Sequence, residues 1–318
     1  MKLIIQIPCL NEEETLGETL RDLPRQIEGI DTIEVLVIDD GSTDRTTQVA
    51  KDHGVDHILS LGTNRGLATA FRRGVDYALS QGADIVINTD ADNQYCGADI
   101  SKLVAPILNG EADMVIGCRP IIAHPEFTPL KKALQLTGSW SLRRISKTRA
   151  RDAASGFRAF SRETCRRIFI HTRFSYCMET LIQAGNSGLR VGSVDIHVNP
   201  KSRDSRLFRS IPEYLWKSAS TMLAMFILYR PGRFFAVLAT PFLVASAVLG
   251  FRFLYLVYGM ETTELGRTHM PSLILFAVCV IIAALLLALG ILGELVKSLR
   301  RLVEEVLYLQ RRNSADRL

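Results

Sequence analysis

The chain carries little sulfur chemistry. Its six cysteines, Cys9, Cys96, Cys118, Cys165, Cys177 and Cys279, form no Cys-x-x-Cys pair and no small-domain framework. That excludes a disulfide-stapled scaffold and points to reduced, packed thiols of a cytosolic compartment. Histidine is as sparse: the six residues His53, His57, His124, His171, His197 and His269 are scattered, without metal-ligand spacing and with no convincing catalytic member. No Gly-x-Gly-x-x-Gly follows the first apolar run, and no Gly-x-x-x-x-Gly-Lys-Ser/Thr occurs. A Rossmann dinucleotide site and a P-loop are thereby excluded. The opening run Met1–Pro8 is apolar but too short for a signal peptide, and it lacks a small-residue cleavage site. It reads as a first strand. Positive charge is scarce in the first hundred residues, which are rather acidic, although the net charge is +5. Basic clusters begin near Lys131 and recur at Arg143-Arg144, Lys147 to Arg151, Arg166-Arg167 and Arg203 to Arg209. Each is either a site for an anionic partner (phosphate, lipid headgroup or nucleic acid) or a solvated charged face.

What is present is apolar patterning. With 318 residues, 47% of them hydrophobic, the chain is long enough for a full core and too long for one small domain. Residues 1 to about 118 alternate strand and helix. Short apolar runs predict strands over Leu3–Ile7, Val35–Ile38, His57–Leu61, Ile85–Ile87 and Met114–Ile116. Helical spacing (Leu16, Leu20, Leu23) and an acidic first turn predict a helix over Glu12–Ile27. Others are expected after Asp44, which can cap one, over Gly66–Leu79 and over Ile100–Leu108. This order gives an α/β fold with a mostly parallel sheet flanked by helices, and ligands bind such sheets at the carboxyl ends of the strands.

Those ends gather one kind of chemistry. They carry Pro8-Cys9-Leu10-Asn11-Glu12, Asp39-Asp40-Gly41-Ser42-Thr43-Asp44, Asn64-Arg65-Gly66, Asp90-Ala91-Asp92-Asn93-Gln94 and Arg119. Asp90 and Asp92, with the Gln94 amide oxygen, form an oxygen donor set suited to Mg²⁺ or Mn²⁺ that leaves positions for water and phosphate. The plain alternative is an acidic, solvated loop. Asp39, Asp40 and Glu12 can accept hydrogen bonds from a base N–H or ribose hydroxyls; the alternative for Asp39 to Ser42 is a turn and helix cap. With no glycine cradle, a diphosphate would have to be neutralised by a metal on Asp90 and Asp92.

Taken in order, Pro8-x-x-Asn11-Glu12, Asp39-Asp40-Gly41-Ser42-x-Asp44, Asn64-x-Gly66 and Asp90-x-Asp92-x-Gln94 resemble the A-fold, inverting nucleotide-sugar glycosyltransferases of family two. Within that family, Ser155-Gly156-Phe157-Arg158-Ala159-Phe160 is similar to the Ser-Gly-Phe stretch of polyprenyl-phosphate glycosyltransferases of the dolichol-phosphate mannose synthase type. The resemblance covers residues 1 to about 230. It implies a nucleoside site lined by Pro8, Leu10, Glu12, Asp39 and Asp40, and a metal and diphosphate site on Asp90, Ala91, Asp92 and Gln94. It implies that Arg119 faces the donor or acceptor phosphate. Arg203-Asp204-Ser205-Arg206 looks like the family's Glu-Ser-Lys stretch, so Arg203 and Arg206 join Asp92 and Arg119 as candidate catalytic residues. Glu179 stands where the family keeps a glutamate; the alternative is a structural ion pair. The Gln-x-x-Arg-Trp motif of the processive synthases is absent.

The composition shifts at Ile211. Residues 1–210 are expected to form a cytoplasmic catalytic domain, with the basic segment 131–151 as an acceptor-side flap or a solvated helix. Residues 211–232 read as an amphipathic interfacial helix. Within 233–297, the stretches of about 234–258 and 271–296 are each long enough to cross ~30 Å of hydrocarbon. Arg230, Arg233, Lys297, Arg300 and Arg301 flank the pair, whereas the connecting loop carries Glu261 and Glu264 against Arg267. The positive-inside rule then places the catalytic domain and both ends in the cytoplasm, on the plasma membrane if the source is prokaryotic. Residues 298–318 read as a basic amphipathic tail, lying on anionic lipid or pairing with another subunit. The partners so implied are a UDP- or GDP-sugar, a polyprenyl or dolichyl monophosphate, the bilayer and a homo-oligomer, with no nucleic acid. Two other readings stay open: transfer to a lipid hydroxyl with Glu179 as base, and a non-catalytic nucleotide-sugar-binding scaffold.

Overall fold

Runs of consecutive apolar residues become strands buried on both faces, because helices cover the sheet on each side. The computed structural model describes residues 1–120, 143, 146, 148, 150–170, 176–200, 219–220, 223–224, 226–259 and 270–315. Arg203, Arg206, most of the basic segment 131–151 and half of the expected interfacial helix lie outside them. Strands β1 (Lys2–Cys9), β2 (Thr32–Asp39), β3 (His57–Ser60), β4 (Ile85–Asn88), β5 (Met114–Cys118), β6 (Arg158–Ser161) and β7 (Val191–Asp195) form one sheet in the order β3-β2-β1-β4-β6-β5-β7. Pairs β1·β2, β1·β4, β2·β3 and β5·β7 are parallel. Only β6 runs against its neighbours β4 and β5.

The helices between them are α1 (Leu16–Asp22), α2 (Thr46–Asp52), α3 (Leu67–Ser80), α4 (Ile100–Leu108), α5 (Arg162–Arg167) and α6 (Tyr176–Asn186). Helix α1 is far shorter than the periodicity of Glu12–Ile27 predicts. Glu12 and Glu13 spend their N–H groups on Thr46 Oγ1 and Asp44 Oδ2 (2.7 and 3.1 Å), which ties them to the neighbouring loop. Pro24 ends the helix from the other side, since the residue before a proline is driven out of helical conformation.

The chain divides into two units, Met1–Ser210 with Val306–Leu318, and Ile211–Glu305. In the first, the last turns of helix α8 (Met270–Ala315) are held by their polar side chains. Arg311 donates to Asp76 Oδ1 (2.5 Å) and to the carbonyls of Cys165 and Ile168 (3.0 and 2.8 Å), meeting orphan acceptors at the end of α5. Tyr308 donates to Glu163 at 3.1 Å. In the second unit, α7 (Pro231–Gly259) lies against α8 at a close crossing. A Cβ on Gly293 would come 2.5 Å from that of Pro231. Both helices are long and apolar enough to cross a membrane, and most of their residues, Val237, Phe251, Ile281 and Leu285 among them, are exposed. The tail read separately from the sequence is the continuation of α8, because no proline or glycine follows Gly293 to break it.

Candidate active site

Strand register brings the loops together. Cys9 pairs with Asp39 and Asp39 with Ser60, so β1, β2 and β3 end level. Gln6 pairs with Asn88, and Asn88 with Arg158, so β4 ends where β6 begins. Cys118 pairs with Asp195. One sheet edge therefore receives the carboxyl ends of six strands and the amino end of β6, the place where open α/β sheets bind ligands.

The loops after β1 and β2 brace each other. Asn11 sits at φ 56°, a left-handed conformation that asparagine tolerates. Its Oδ1 accepts from the Thr43 N–H at 2.8 Å, and its own N–H donates to Ser42 Oγ at 3.0 Å. Asp39 accepts from the Ser42 N–H (2.9 Å) and the Ser60 hydroxyl (3.1 Å). Asp40 is buried and spends both oxygens on the Arg65 and Gly66 N–H groups, each at 2.8 Å, at the start of α3. Gly41 is required here: its φ is +80°, and a Cβ would come 2.7 Å from the Thr63 backbone. Pro8 lies in β1 opposite Ile38, Leu10 is half-buried beyond it, and Glu12 Oε2 accepts from the Thr15 hydroxyl at 3.0 Å.

The loop after β4 is held from both sides. Thr19 Oγ1 donates to the Ala91 carbonyl (3.0 Å), and the Gln94 N–H donates to Asp92 (3.2 Å). From the segment after β7, Asn199 donates to the carbonyls of Gln94 and Asn93 (2.8 and 3.0 Å). Asn93 has φ 53°. Burial, the nearby Asp92 charge and then Glu12 push the Asp90 carboxyl up to about 7, with Arg119 opposing them. Two hard carboxylates crowded at this cost make a donor set that fits a divalent cation. The buried Asn93 Oδ1, which has no hydrogen-bond partner among the described residues, adds an unmet oxygen to the same loop. Among the described residues no three His, Cys, Asp or Glu side chains converge, so such a cation would draw the rest of its oxygens from amides, water and ligand.

Beneath this loop lies a buried polar layer that hydropathy does not reveal. Asn88 donates to the Gly156 carbonyl and to Tyr176 Oη (3.1 and 2.8 Å) and accepts from Gln6 Nε2 at 3.0 Å. The Tyr95 ring stacks on Phe157 at 4.9 Å, and its hydroxyl accepts from the Gly156 N–H at 3.3 Å. Arg119 makes a bidentate pair with buried Asp152, Nε to Oδ2 at 2.7 Å and Nη2 to Oδ1 at 3.0 Å. Burial works against the Arg119 charge. The neighbouring Tyr95 and Asp152 outweigh it and hold the guanidinium above its ordinary range. Glu179 is fully buried in α6 and accepts from Gln183 Nε2 at 3.4 Å. Asp152, Asn88, Tyr95, Tyr176 and Asn199 were not singled out by the sequence. Asp152, three residues before Ser155-Gly156-Phe157, is the one with a local signal.

Gly156 leaves room for the loop that carries Asp90. A Cβ there would stand 2.8 Å from Tyr176 Oη and 3.2 Å from Asp90 Oδ1. Gly156→Ala should displace the Asp90 carboxylate and weaken Mn²⁺ binding by at least about tenfold, the scale of a disturbed outer shell. Titration of bound Mn²⁺ by electron paramagnetic resonance checks it; an unchanged affinity would separate Gly156 from the metal loop.

Comparison with known proteins gives the same outline. The family model described as glycosyl transferase family 2 matches residues 4–169. An uncharacterized protein of Methanocaldococcus jannaschii is 35% identical over 206 residues, covering 61% of this chain and 80% of that protein. The UDP-N-acetylglucosamine–dolichyl-phosphate N-acetylglucosaminyltransferase of Methanococcus voltae is 30% identical over 213 residues, 60% of this chain and 82% of that one. In fold, the chain is similar to glucosyl-3-phosphoglycerate synthase of Mycobacterium tuberculosis, solved with Mn²⁺, UDP and glucosyl-3-phosphoglycerate. The TM-score is 0.52 at 22% identity, over 71% of this chain and 78% of that one.

Proposed function

The chain belongs to glycosyl transferase family 2, and from that premise we propose that it moves a sugar from a UDP- or GDP-sugar to a polyprenyl or dolichyl monophosphate, with inversion. The observation that carries this reading is the meeting at one sheet edge of the Asp90–Asp92 pair with the Asp152-locked Arg119. The exposed apolar helices α7 and α8 support a membrane-held acceptor, and the Methanococcus voltae relative is named for a dolichyl-phosphate acceptor. In this reading both helices span the bilayer, and the flanking arginines and lysines keep the catalytic unit cytoplasmic.

Asp90, Asp92 and Gln94 would hold a divalent cation, which when bound supplies positive charge against the departing diphosphate. Glu12 and Asp39 face the nucleoside, and Asp40 keeps the adjoining turn in shape. Asp152 fixes the plane of Arg119, so that the guanidinium meets phosphate oxygens without reorganising. Arg203 and Arg206 complete the acceptor clamp. A phosphate acceptor is already anionic and needs no general base. Glu179, the base a hydroxyl acceptor would require, is fully buried in α6. An α-linked donor then yields a β-linked lipid phosphate sugar.

The test uses the purified full-length protein in detergent with Mn²⁺, undecaprenyl and dolichyl phosphate, and a panel of radiolabelled UDP- and GDP-sugars. Acid-labile label in the organic phase with one donor is the expected result. Acid-stable lipid label would point to a hydroxyl acceptor, and donor binding without transfer to a scaffold. Arg119→Lys should lower kcat roughly 10²-fold, because an ammonium cannot reproduce the fork. Full activity in that variant would remove Arg119 from the clamp.

A further inference from the structure

From the end of the apolar part of α8 and on past Lys297, exposed apolar residues continue in a regular stripe. Leu292, Leu295, Leu299, Leu302, Val306 and Leu309 are all exposed, and their spacing alternates three and four. The next step falls on Asn313, also exposed. That spacing matches the seam of a coiled coil, in which paired helices bury such residues against their copies. The polar contacts α8 makes within its own chain use other positions. Arg300 stacks over Tyr229, and Tyr308 and Arg311 bind Glu163 and Asp76. Tyr308 lies about 200° round the helix from Val306 and about 100° from Leu309, and Arg311 about 140° and 200° from the same two.

We propose that residues 292–313 of α8 form a parallel coiled coil with the same helix of a second copy of this chain. The inference rests on α8 spanning the bilayer, as read above. Two copies inserted with the same orientation are necessarily parallel. Past Lys297 the stripe continues through Leu299, Leu302, Val306 and Leu309 among charged neighbours, and a coiled-coil seam would bury it. Across a parallel seam Glu305 meets Gln310 of the copy, and Ser298 meets Val303, so no like charges oppose each other. Arg300, Arg301 and Glu304 fall on the outside. Asn313 is the seam's one polar member, the device that fixes register in parallel pairs.

The test is cysteine cross-linking of the full-length protein in its native membranes. Leu302→Cys and Leu309→Cys should each give an oxidised dimer on a denaturing gel, whereas wild type and Arg301→Cys should not. The Leu302→Asp/Leu309→Asp double variant should fall to the mass of one chain in detergent. No dimer from the seam cysteines, or an equal one from Arg301→Cys, overturns the coiled coil. Alkaline carbonate extraction reports separately on the premise. Retention without cross-linking overturns the coil alone; release removes the spanning reading and the parallel register with it.

Discussion

Asp90→Asn should abolish transfer and, in the same protein, raise stability. The loss follows from the proposed role: an amide in place of a carboxylate weakens the cation and the charge that meets the diphosphate, at about 10³-fold or more in kcat. The gain follows from burial. The Asp90 carboxyl is raised from its ordinary 3.8 to about 7, first by desolvation and then by Asp92. For an acid with a raised pKa in the folded state, the folded form favours the proton. The penalty is absent below the ordinary value, grows as pH rises and is complete above about 7. Desolvation and the Asp92 charge together make that penalty on the order of a few kcal/mol. With chelator at pH 8, Asp90→Asn should therefore melt above wild type. At pH 5 most of that difference should be gone, and saturating Mn²⁺ should stabilise wild type alone. A variant that is no more stable at pH 8 would show that Asp90 is not a desolvated carboxylate. Asp92→Asn should lose transfer to the same extent with normal membrane assembly, a result that a binding scaffold would not give.

The parts of this site legible in the sequence are those set by local rules. Ile85-Val86-Ile87 announces a buried strand, and an acid pair after such a strand has one place to go, the carboxyl edge. Asp40 reads as a nucleoside-site residue with turn chemistry as the alternative, and both its oxygens accept from the Arg65 and Gly66 N–H groups at the start of α3. The over-long reading of α1 failed because Glu12 and Glu13 are claimed by Thr46 and Asp44, more than thirty positions away. Strand β6 was illegible for a stronger reason. Its first residue is an arginine, which hydropathy puts outside, yet Arg158 is fully buried between β4 and β5. Arg119 is named from the sequence, but its pairing with Asp152, thirty-three positions away, is not, and that shows the same limit. Long-range polar pairs have no period, so no periodicity finds them.

Arg158 gives the second large effect. Its guanidinium donates to the carbonyls of Ser155, Cys177 and Ala153 at 2.7, 2.6 and 2.7 Å and to Thr180 Oγ1 at 2.8 Å. These bonds pin the 153–158 turn to α6, and that turn carries Gly156 against Asp90. Arg158→Met keeps much of the volume but strands several buried acceptors, each worth about 1–3 kcal/mol when left unmet. A loss of about 3–5 kcal/mol is expected, the range for breaking a buried charged network. For a unit of this size that lowers Tm by roughly 10 °C. Arg158→Lys should recover little of it, because one ammonium on a flexible stem cannot reach acceptors spread around a planar fork. Both variants should also lose Mn²⁺ affinity at temperatures where they remain folded, since the freed turn no longer holds its backbone in place beside Asp90. Thermal melts read together with Mn²⁺ titration separate the two consequences. A Tm within about 2 °C of wild type for Arg158→Met would mean that water satisfies those carbonyls and the turn stands without the arginine. A large fall in Tm with unchanged Mn²⁺ affinity would make Arg158 a support of the core alone, and would leave Asn88 and Tyr176, which bond to the Gly156 carbonyl, to hold the turn under the Asp90 loop.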